Sequence, residues 1–128
     1  MKKIFLFIFA AFTLNACTEA QGTQEQDNGV INKIVSLEEF KRLMKLDNAQ
    51  VIDVRTPAEY DKGKIGNAPN IDFLNVNFET EIDKFDKNRP TLLYCASGVR
   101  SGKALQVMKE LGFKEVYNLE GGYRNWSE

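Results

Sequence analysis

The sequence contains no histidine, and its 128 residues include only two cysteines, Cys17 and Cys95. Histidine is the usual base beside a nucleophilic cysteine and a frequent metal ligand, so its absence excludes a Cys–His dyad and any imidazole-containing metal site. If a cysteine of this chain reacts, the electrostatics of its own loop must activate the thiol. We expect neither a bound metal nor a cofactor.

A surplus of positive charge is also missing. Seventeen Lys and Arg residues stand against 18 Asp and Glu, which gives a formal net charge of −1, and no block of basic residues occurs. Removal of Lys2 and Lys3 with a signal peptide would leave 15 basic residues and a net charge of −3. Because nucleic-acid binding depends on a basic surface, this composition argues against a nucleic-acid partner.

The first sixteen residues resemble a secretory signal peptide. Lys2 and Lys3 form a basic start, and residues 4–14 form an apolar segment that is shorter than the roughly 20 residues of a membrane-spanning helix. Residues 14–17, LNAC, resemble a bacterial lipobox, in which cleavage precedes a cysteine that is then lipidated. We predict a lipoprotein signal peptide over 1–16 and a lipid on Cys17, which would anchor the protein in the bacterial cell envelope, facing the periplasm. The alternatives are a soluble secreted protein cleaved nearby and an uncleaved anchor.

Residues 17–30 are polar, rich in Gln, Glu, Asn and Thr, and have almost nothing apolar to bury. Such a segment is typical of a flexible tether. The remaining residues, 31–128, are enough for one small domain with one hydrophobic core. With a lipid on Cys17, Cys95 has no partner for a disulfide, so we expect a reduced thiol even in an oxidising compartment. We expect the protein to be monomeric.

Strands and helices alternate along this domain. Apolar and β-branched runs predict strands at 51–54, 70–72, 91–94 and 115–119, and helical patterns occur at 75–85 and 102–111, with a last turn or helix from 121 to 126. Gly112 fits a C-terminal helix cap. The alternation predicts an α/β fold of three layers, a mainly parallel central sheet flanked by helices.

Two capping boxes predict further helix starts. Ser36 with Glu39 begins a helix that extends to about Asp47. Thr56 with Glu59 begins a second, shorter helix, in which the next residue is a proline at the favoured first helical position.

Cys95 lies where a predicted buried strand meets the start of a helix. Residues 95–101, CASGVRS, follow the apolar run 91–94 and precede the helical pattern that begins at Gly102. Backbone N–H groups in such a turn, together with the helix dipole, favour an anion and lower the pKa of a thiol. Arg100 adds a positive charge within the same loop. We predict that Cys95 is largely thiolate near neutral pH and acts as a nucleophile.

Several separated blocks of residues occur in a specific order. They are residues 51–60 (VIDVRTPAEY), 63–65 (GKI) with Ala68, Asn70 and Ile71, 93–101 (LYCASGVRS), and 121–123 (GGY) with Trp126. Together these blocks resemble a single-domain rhodanese, and the resemblance covers nearly all of the chain from about Ile31 onward. It implies sulfurtransferase chemistry: the loop cysteine takes a sulfane sulfur from a donor such as thiosulfate, holds it as a persulfide, and passes it to a thiol acceptor or cyanide.

The resemblance also implies roles for individual residues. Cys95 is the persulfide-forming nucleophile. The loop that binds the anionic sulfur consists of Ala96, Ser97, Gly98, Val99 and Arg100. For Asp53, Arg55 and Glu59, polar groups at a strand end and a helix start, we favour a supporting network in which Arg55 pairs with a carboxylate and holds the neighbouring loop.

Two other functions fit parts of the pattern. One is a rhodanese module without enzymatic activity, which binds a partner protein or senses redox state through Cys95. The other is a cysteine phosphatase or arsenate reductase, in which five residues separate the cysteine from the arginine. Only four residues separate Cys95 from Arg100, so the ring should be too narrow for phosphate. The charged loop around the thiol favours an enzyme over a binding module.

Overall fold

The structure, a computed structural model, describes residues 29–127. Its strands are β1 (Ile31–Val35), β2 (Gln50–Asp53), β3 (Thr91–Tyr94) and β4 (Glu115–Leu119), and its helices are α1 (Leu37–Leu43), α2 (Pro57–Asp61), α3 (Phe78–Ile82), α4 (Val99–Glu110) and α5 (Gly122–Ser127). The predicted signal peptide, Cys17 and most of the predicted tether lie outside the described residues. None of the described helices is both long and apolar enough to cross a membrane.

The four strands form one parallel sheet in the order β1-β4-β3-β2. Strand β3 lies inside the sheet, and all four of its residues are buried, which explains its continuous apolar sequence. Asp53 at the end of β2 pairs in register with Tyr94 at the end of β3. Because the carboxyl ends of parallel strands share one edge of the sheet, Asp53 and Cys95 lie at the same edge, where ligands bind in folds of this class.

Each face of the sheet packs against its own helices. Side chains alternate along a strand, so Leu92 and Tyr94 of β3 point to one face, and Leu93 and Cys95 point to the other. The first face packs on α1 and α5 through residues that include Phe40, Leu43 and Trp126, and the second packs on α3 and α4 through Phe78, Ile82, Ala104 and Met108. The predicted three-layer α/β fold is confirmed.

Three helices have bounds that differ from the prediction. Helix α1 ends at Leu43, not near Asp47, because the chain then forms turns whose N–H groups bond three residues back. Helix α3 covers only Phe78–Ile82, since the Asn75 side chain accepts from the Asn77 N–H and holds the preceding segment in a turn. Helix α4 begins at Val99, three residues earlier than predicted.

The capping predictions have different outcomes. The Thr56–Glu59 box is confirmed, with both reciprocal hydrogen bonds present and Pro57 in the first turn. Ser36 does accept from the Glu39 N–H at 3.2 Å, but the Glu39 carboxylate binds Arg42 on its own helix. The first box is therefore only half formed.

Candidate active site

Cys95 is the residue that directly follows β3, and it is 1% exposed. Two groups donate hydrogen bonds to its sulfur. The Gly98 N–H lies 3.0 Å from Cys95 Sγ, and the Ser101 hydroxyl lies 3.3 Å from it. The chain between them turns so tightly that residues three and six positions after Cys95 donate to the same sulfur atom.

These donors change the acidity of the thiol. Burial raises the pKa of Cys95, but hydrogen bonds from the Ser101 hydroxyl and from the backbone N–H groups of Ser101, Ser97 and Gly98 outweigh it. The pKa of Cys95 is therefore lowered from its ordinary value. Hydrogen bonds to the charged form stabilise a thiolate without any second titrating group. The arrangement needs no histidine.

Gly98 makes this turn possible. Its φ of +95° lies in the left-handed region, and a Cβ at this position would lie 3.4 Å from the carbonyl oxygen of Leu119. The Gly98 carbonyl oxygen accepts from the Gly102 N–H at 3.0 Å and from Asn118 Nδ2 at 3.1 Å. Helix α4 therefore begins immediately after the left-handed residue, which is why Val99 and Arg100 are helical and do not belong to the loop.

Arg100 lies in the first turn of α4 and forms an ion pair with Glu59 at the start of α2. Its two terminal nitrogens each lie 2.8 Å from one carboxylate oxygen of Glu59. Thr56 holds the same carboxylate through its N–H at 3.0 Å and its hydroxyl at 2.9 Å. The Arg100 guanidinium thus binds a carboxylate, and its charge acts on Cys95 only at longer range.

Asp53 and Arg55 form a buried pair beside this site. Asp53 is 0% exposed and Arg55 is 3% exposed, and Arg55 Nη2 lies 2.6 Å from Asp53 Oδ2. The same nitrogen donates to the Gly63 carbonyl at 2.6 Å, and the guanidinium lies 4.1 Å from the ring of Tyr123. Arg55 therefore links the end of β2, the loop after α2 and the first turn of α5.

The start of α5 closes against the Cys95 loop. The Tyr123 N–H donates to the Cys95 carbonyl at 2.8 Å, and the Arg124 N–H donates to the Ala96 carbonyl at 3.1 Å. Gly122 has a φ of +63°, and a Cβ there would lie 2.5 Å from the Cys95 carbonyl oxygen. This close approach requires glycine, and it explains the second residue of the Gly-Gly pair.

The other residues of the Cys95 loop contribute to the site through their backbone groups, not through their side chains. The Ser97 N–H helps to lower the pKa of Cys95, while the residue itself is exposed. Val99, the first residue of α4, is 63% exposed. Neither Asn118 nor Ser101 was assigned a role from the sequence. The spacing of Ser101 from Cys95, about one helical turn after Gly98, is the signal that could have identified it.

Comparisons with known proteins show the family to which the chain belongs. The family model described as Rhodanese-like domain matches residues 36–128. The uncharacterized protein YqhL of Bacillus subtilis is 37% identical over 123 residues, which cover 96% of this chain and 90% of that protein. The thiosulfate sulfurtransferase GlpE of Coxiella burnetii is 36% identical over 94 residues, which cover 73% of this chain and 86% of that protein.

A solved structure is also similar. The rhodanese-like domain protein from Staphylococcus aureus superposes with a TM-score of 0.65 at 33% identity, covering 73% of this chain and 90% of that one. The chain belongs to the rhodanese-like family of sulfurtransferases.

Proposed function

We propose that the protein transfers a sulfane sulfur from a donor such as thiosulfate to a thiol acceptor or cyanide, through a persulfide on Cys95. The observation that supports this most directly is the pair of hydrogen bonds that Cys95 Sγ accepts from the Gly98 N–H and the Ser101 hydroxyl, with a lowered pKa for the thiol. A thiolate is the form that attacks sulfur, and the same donors stabilise the anionic outer sulfur of a persulfide.

The first half-reaction loads the enzyme. The Cys95 thiolate attacks the outer sulfur of thiosulfate, and a new S–S bond forms as the sulfur–sulfur bond of the donor breaks. Sulfite leaves with the electron pair of the broken bond. The product is a cysteine persulfide whose outer sulfur bears the negative charge that the thiolate held before. No proton transfer is needed, so the absence of histidine is compatible with the step.

The second half-reaction removes the sulfur from the Cys95 persulfide. A thiolate or cyanide attacks the outer sulfur, the S–S bond to Cys95 breaks, and the electron pair returns to Cys95 Sγ. Cys95 is the only cysteine in the part of the chain that the structure describes, so an acceptor from outside the domain must remove the sulfur. The two steps predict ping-pong kinetics with a stable loaded enzyme.

Intact-protein mass spectrometry tests this proposal. The reduced domain from about Asn28 onward is incubated with thiosulfate, and its mass is measured before and after cyanide is added. We expect a gain of one sulfur atom that cyanide removes. The Cys95→Ser variant, which keeps the size of the side chain, should show no gain.

A domain that gains no sulfur from thiosulfate or from other sulfane donors would overturn the proposal and favour a binding or redox-sensing module. A gain that persists in Cys95→Ser would place the chemistry elsewhere. The Ser97→Ala variant is a matched control, since its exposed side chain can be removed while the backbone N–H stays. It should load sulfur like the unsubstituted protein.

We also propose that Cys17 is lipidated and anchors the domain at the bacterial cell envelope, on the basis of the residues 1–17 alone. Expression of the full chain in bacteria with an alkyne-labelled fatty acid should label the protein and place it in the membrane fraction. The Cys17→Ser variant should lose the label. An unlabelled, soluble protein with Cys17 intact would contradict the anchor.

A further inference from the structure

Asn118 lies on β4, beside the loop that holds the reactive thiol. The residue is 2% exposed, and its Nδ2 donates to the Gly98 carbonyl oxygen at 3.1 Å, across 20 positions of sequence. On the sheet it pairs in register with Leu93 of β3, two residues before Cys95. Its amide therefore reaches from the interior of the sheet to the backbone of the Cys95 loop.

The orientation of this amide is determined by its surroundings. Rotating it by half a turn would place Oδ1 against the Gly98 carbonyl oxygen, and two acceptors repel each other. The Gly98 carbonyl also accepts from the Gly102 N–H, so it is held by the sheet on one side and by the first turn of α4 on the other.

The hydrogen bonds that hold the Gly98 carbonyl also restrict the Gly98 N–H, which donates to Cys95 Sγ. Glycine has more backbone freedom than any other residue, so the direction of the Gly98 N–H is not determined by its own sterics. A carbonyl fixed at the same residue limits rotation of the backbone and keeps the N–H 3.0 Å from Cys95 Sγ. Asn118 thus acts on the thiol through Gly98 and does not touch it.

One of the two amide atoms of Asn118 lowers the stability of the fold. Among residues 29–127, its Oδ1 has no hydrogen-bond partner, although the atom is buried. A buried acceptor without a partner destabilises the folded state, and an apolar side chain of similar size would avoid that penalty. The hydrogen bond to the Cys95 loop is the contact that offsets it.

We infer that Asn118 is a positioning residue, which holds Gly98 so that its N–H stabilises the thiolate and the persulfide of Cys95. The inference rests on the proposed use of Cys95 as the nucleophile. It adds to that proposal a residue outside the loop, on a neighbouring strand, that determines how well the loop binds an anionic sulfur.

The test compares Asn118→Leu and Asn118→Ser with a matched control, Asn32→Leu. Leucine keeps the volume of the side chain, and serine is smaller but too short to reach Gly98. Asn32 lies on the adjacent strand β1, and both its amide atoms are buried without a partner among the described residues. The control therefore removes a buried amide that forms no hydrogen bond with the loop or with any other described residue.

The first readout is the rate of Cys95 alkylation by iodoacetamide as a function of pH, which reports the thiolate without any sulfur donor. We expect both Asn118 variants to react more slowly below neutral pH, about three- to tenfold, the size of effect that one lost hydrogen bond produces. Persulfide formation should slow by a similar factor. Asn32→Leu should match the unsubstituted protein in both measurements.

An alkylation profile that is unchanged in a folded Asn118 variant would overturn the inference, whatever the sulfur donor is. If alkylation slows in the Asn118 variants as expected but no protein, including the unsubstituted one, gains sulfur, the inference about Asn118 stands and the proposed sulfur transfer is contradicted. If neither variant folds, NMR of the unsubstituted protein decides. The Asn118 Nδ2 resonance should shift when Cys95 is alkylated or loaded, and an unshifted resonance would refute the role.

Discussion

Arg100 and Glu59 are separated by 41 positions in the sequence and joined by two parallel hydrogen bonds of 2.8 Å. The pair connects the first turn of α4, which follows the Cys95 loop, to the first turn of α2. Because Thr56 binds the same carboxylate, the pair is fixed at the N-terminus of α2 and cannot rotate freely. A bidentate pair of this geometry is stronger than an ordinary surface ion pair.

The pair should make folding stability depend on pH. The Arg100 guanidinium lowers the pKa of Glu59 from 4.5 to about 2, with further lowering by Thr56 and opposition from burial. The folded state therefore prefers the ionised form, and this stabilisation is fully present above the unfolded pKa and is lost as pH falls through the folded pKa. We expect Glu59→Gln to be less stable than the unsubstituted protein at neutral pH.

Urea unfolding at a series of pH values measures how much the Arg100–Glu59 pair stabilises the folded state. The difference in unfolding free energy between the two proteins should be constant above about pH 5 and should shrink as pH falls towards 2. Glu39→Gln is the control, since that carboxylate pairs with Arg42 on an exposed helix face and its loss should matter little. A pH-independent difference for Glu59→Gln would contradict the assignment.

The Ser101 hydroxyl should contribute to the reactivity of Cys95. Ser101 is 0% exposed and its hydroxyl lies 3.3 Å from Cys95 Sγ. We expect Ser101→Ala to raise the pKa of Cys95 and to slow its alkylation below neutral pH, because a donor to the thiolate is lost. Ser97→Ala should leave the rate unchanged, since its contribution comes from the backbone N–H. Equal rates in all three proteins would show that the backbone alone activates the thiol.

The sequence was sufficient to predict strands β2, β3 and β4 and the position of the thiol, but the strand predicted at 70–72 is only an isolated bridge between Asn70 and Asp53. Strand β3 was predicted with its observed bounds because a strand whose four residues are all buried leaves a short, nearly continuous apolar run. The Thr56–Glu59 box was found because its partners are three residues apart. Local patterns of this kind do not depend on the rest of the chain.

Other features depend on contacts between distant residues and left no local pattern. Strand β1 was not predicted, since it is an edge strand with polar Asn32 and Lys33 in its middle and with Ile34 69% exposed. The partner of Arg100 could not be found from spacing, because Glu59 is brought to it only by the parallel sheet. The hydrogen bond between Asn118 and Gly98 could not be predicted either, because the two residues are 20 positions apart in sequence and are brought together by the fold.

Gly122 should be far less tolerant of substitution than Gly112. Both have positive φ, but a Cβ at Gly122 would lie 2.5 Å from the Cys95 carbonyl oxygen, while a Cβ at Gly112 would have no atom within 4 Å. We expect Gly112→Ala to cost about 1–2 kcal/mol from backbone strain alone. Gly122→Ala should cost a further ~1–3 kcal/mol and impair sulfur loading, because the Cys95 loop must move. Equal losses of stability, measured by urea unfolding, would contradict the close approach.

The buried pair of Arg55 and Asp53 should matter more for stability than an exposed pair of the same chemistry. Arg55→Met would leave Asp53 buried without its ion-pair partner, and removing one member of a buried pair typically costs about 3–5 kcal/mol. The same substitution at Arg42, whose side chain is 64% exposed beside Glu39, should cost less than about 1 kcal/mol. Thermal unfolding of the two variants provides the comparison.

Arg55→Met should also slow sulfur loading, because Arg55 packs on Tyr123, whose N–H donates to the Cys95 carbonyl. Similar melting temperatures for Arg55→Met and Arg42→Met would refute the structural role of the buried pair.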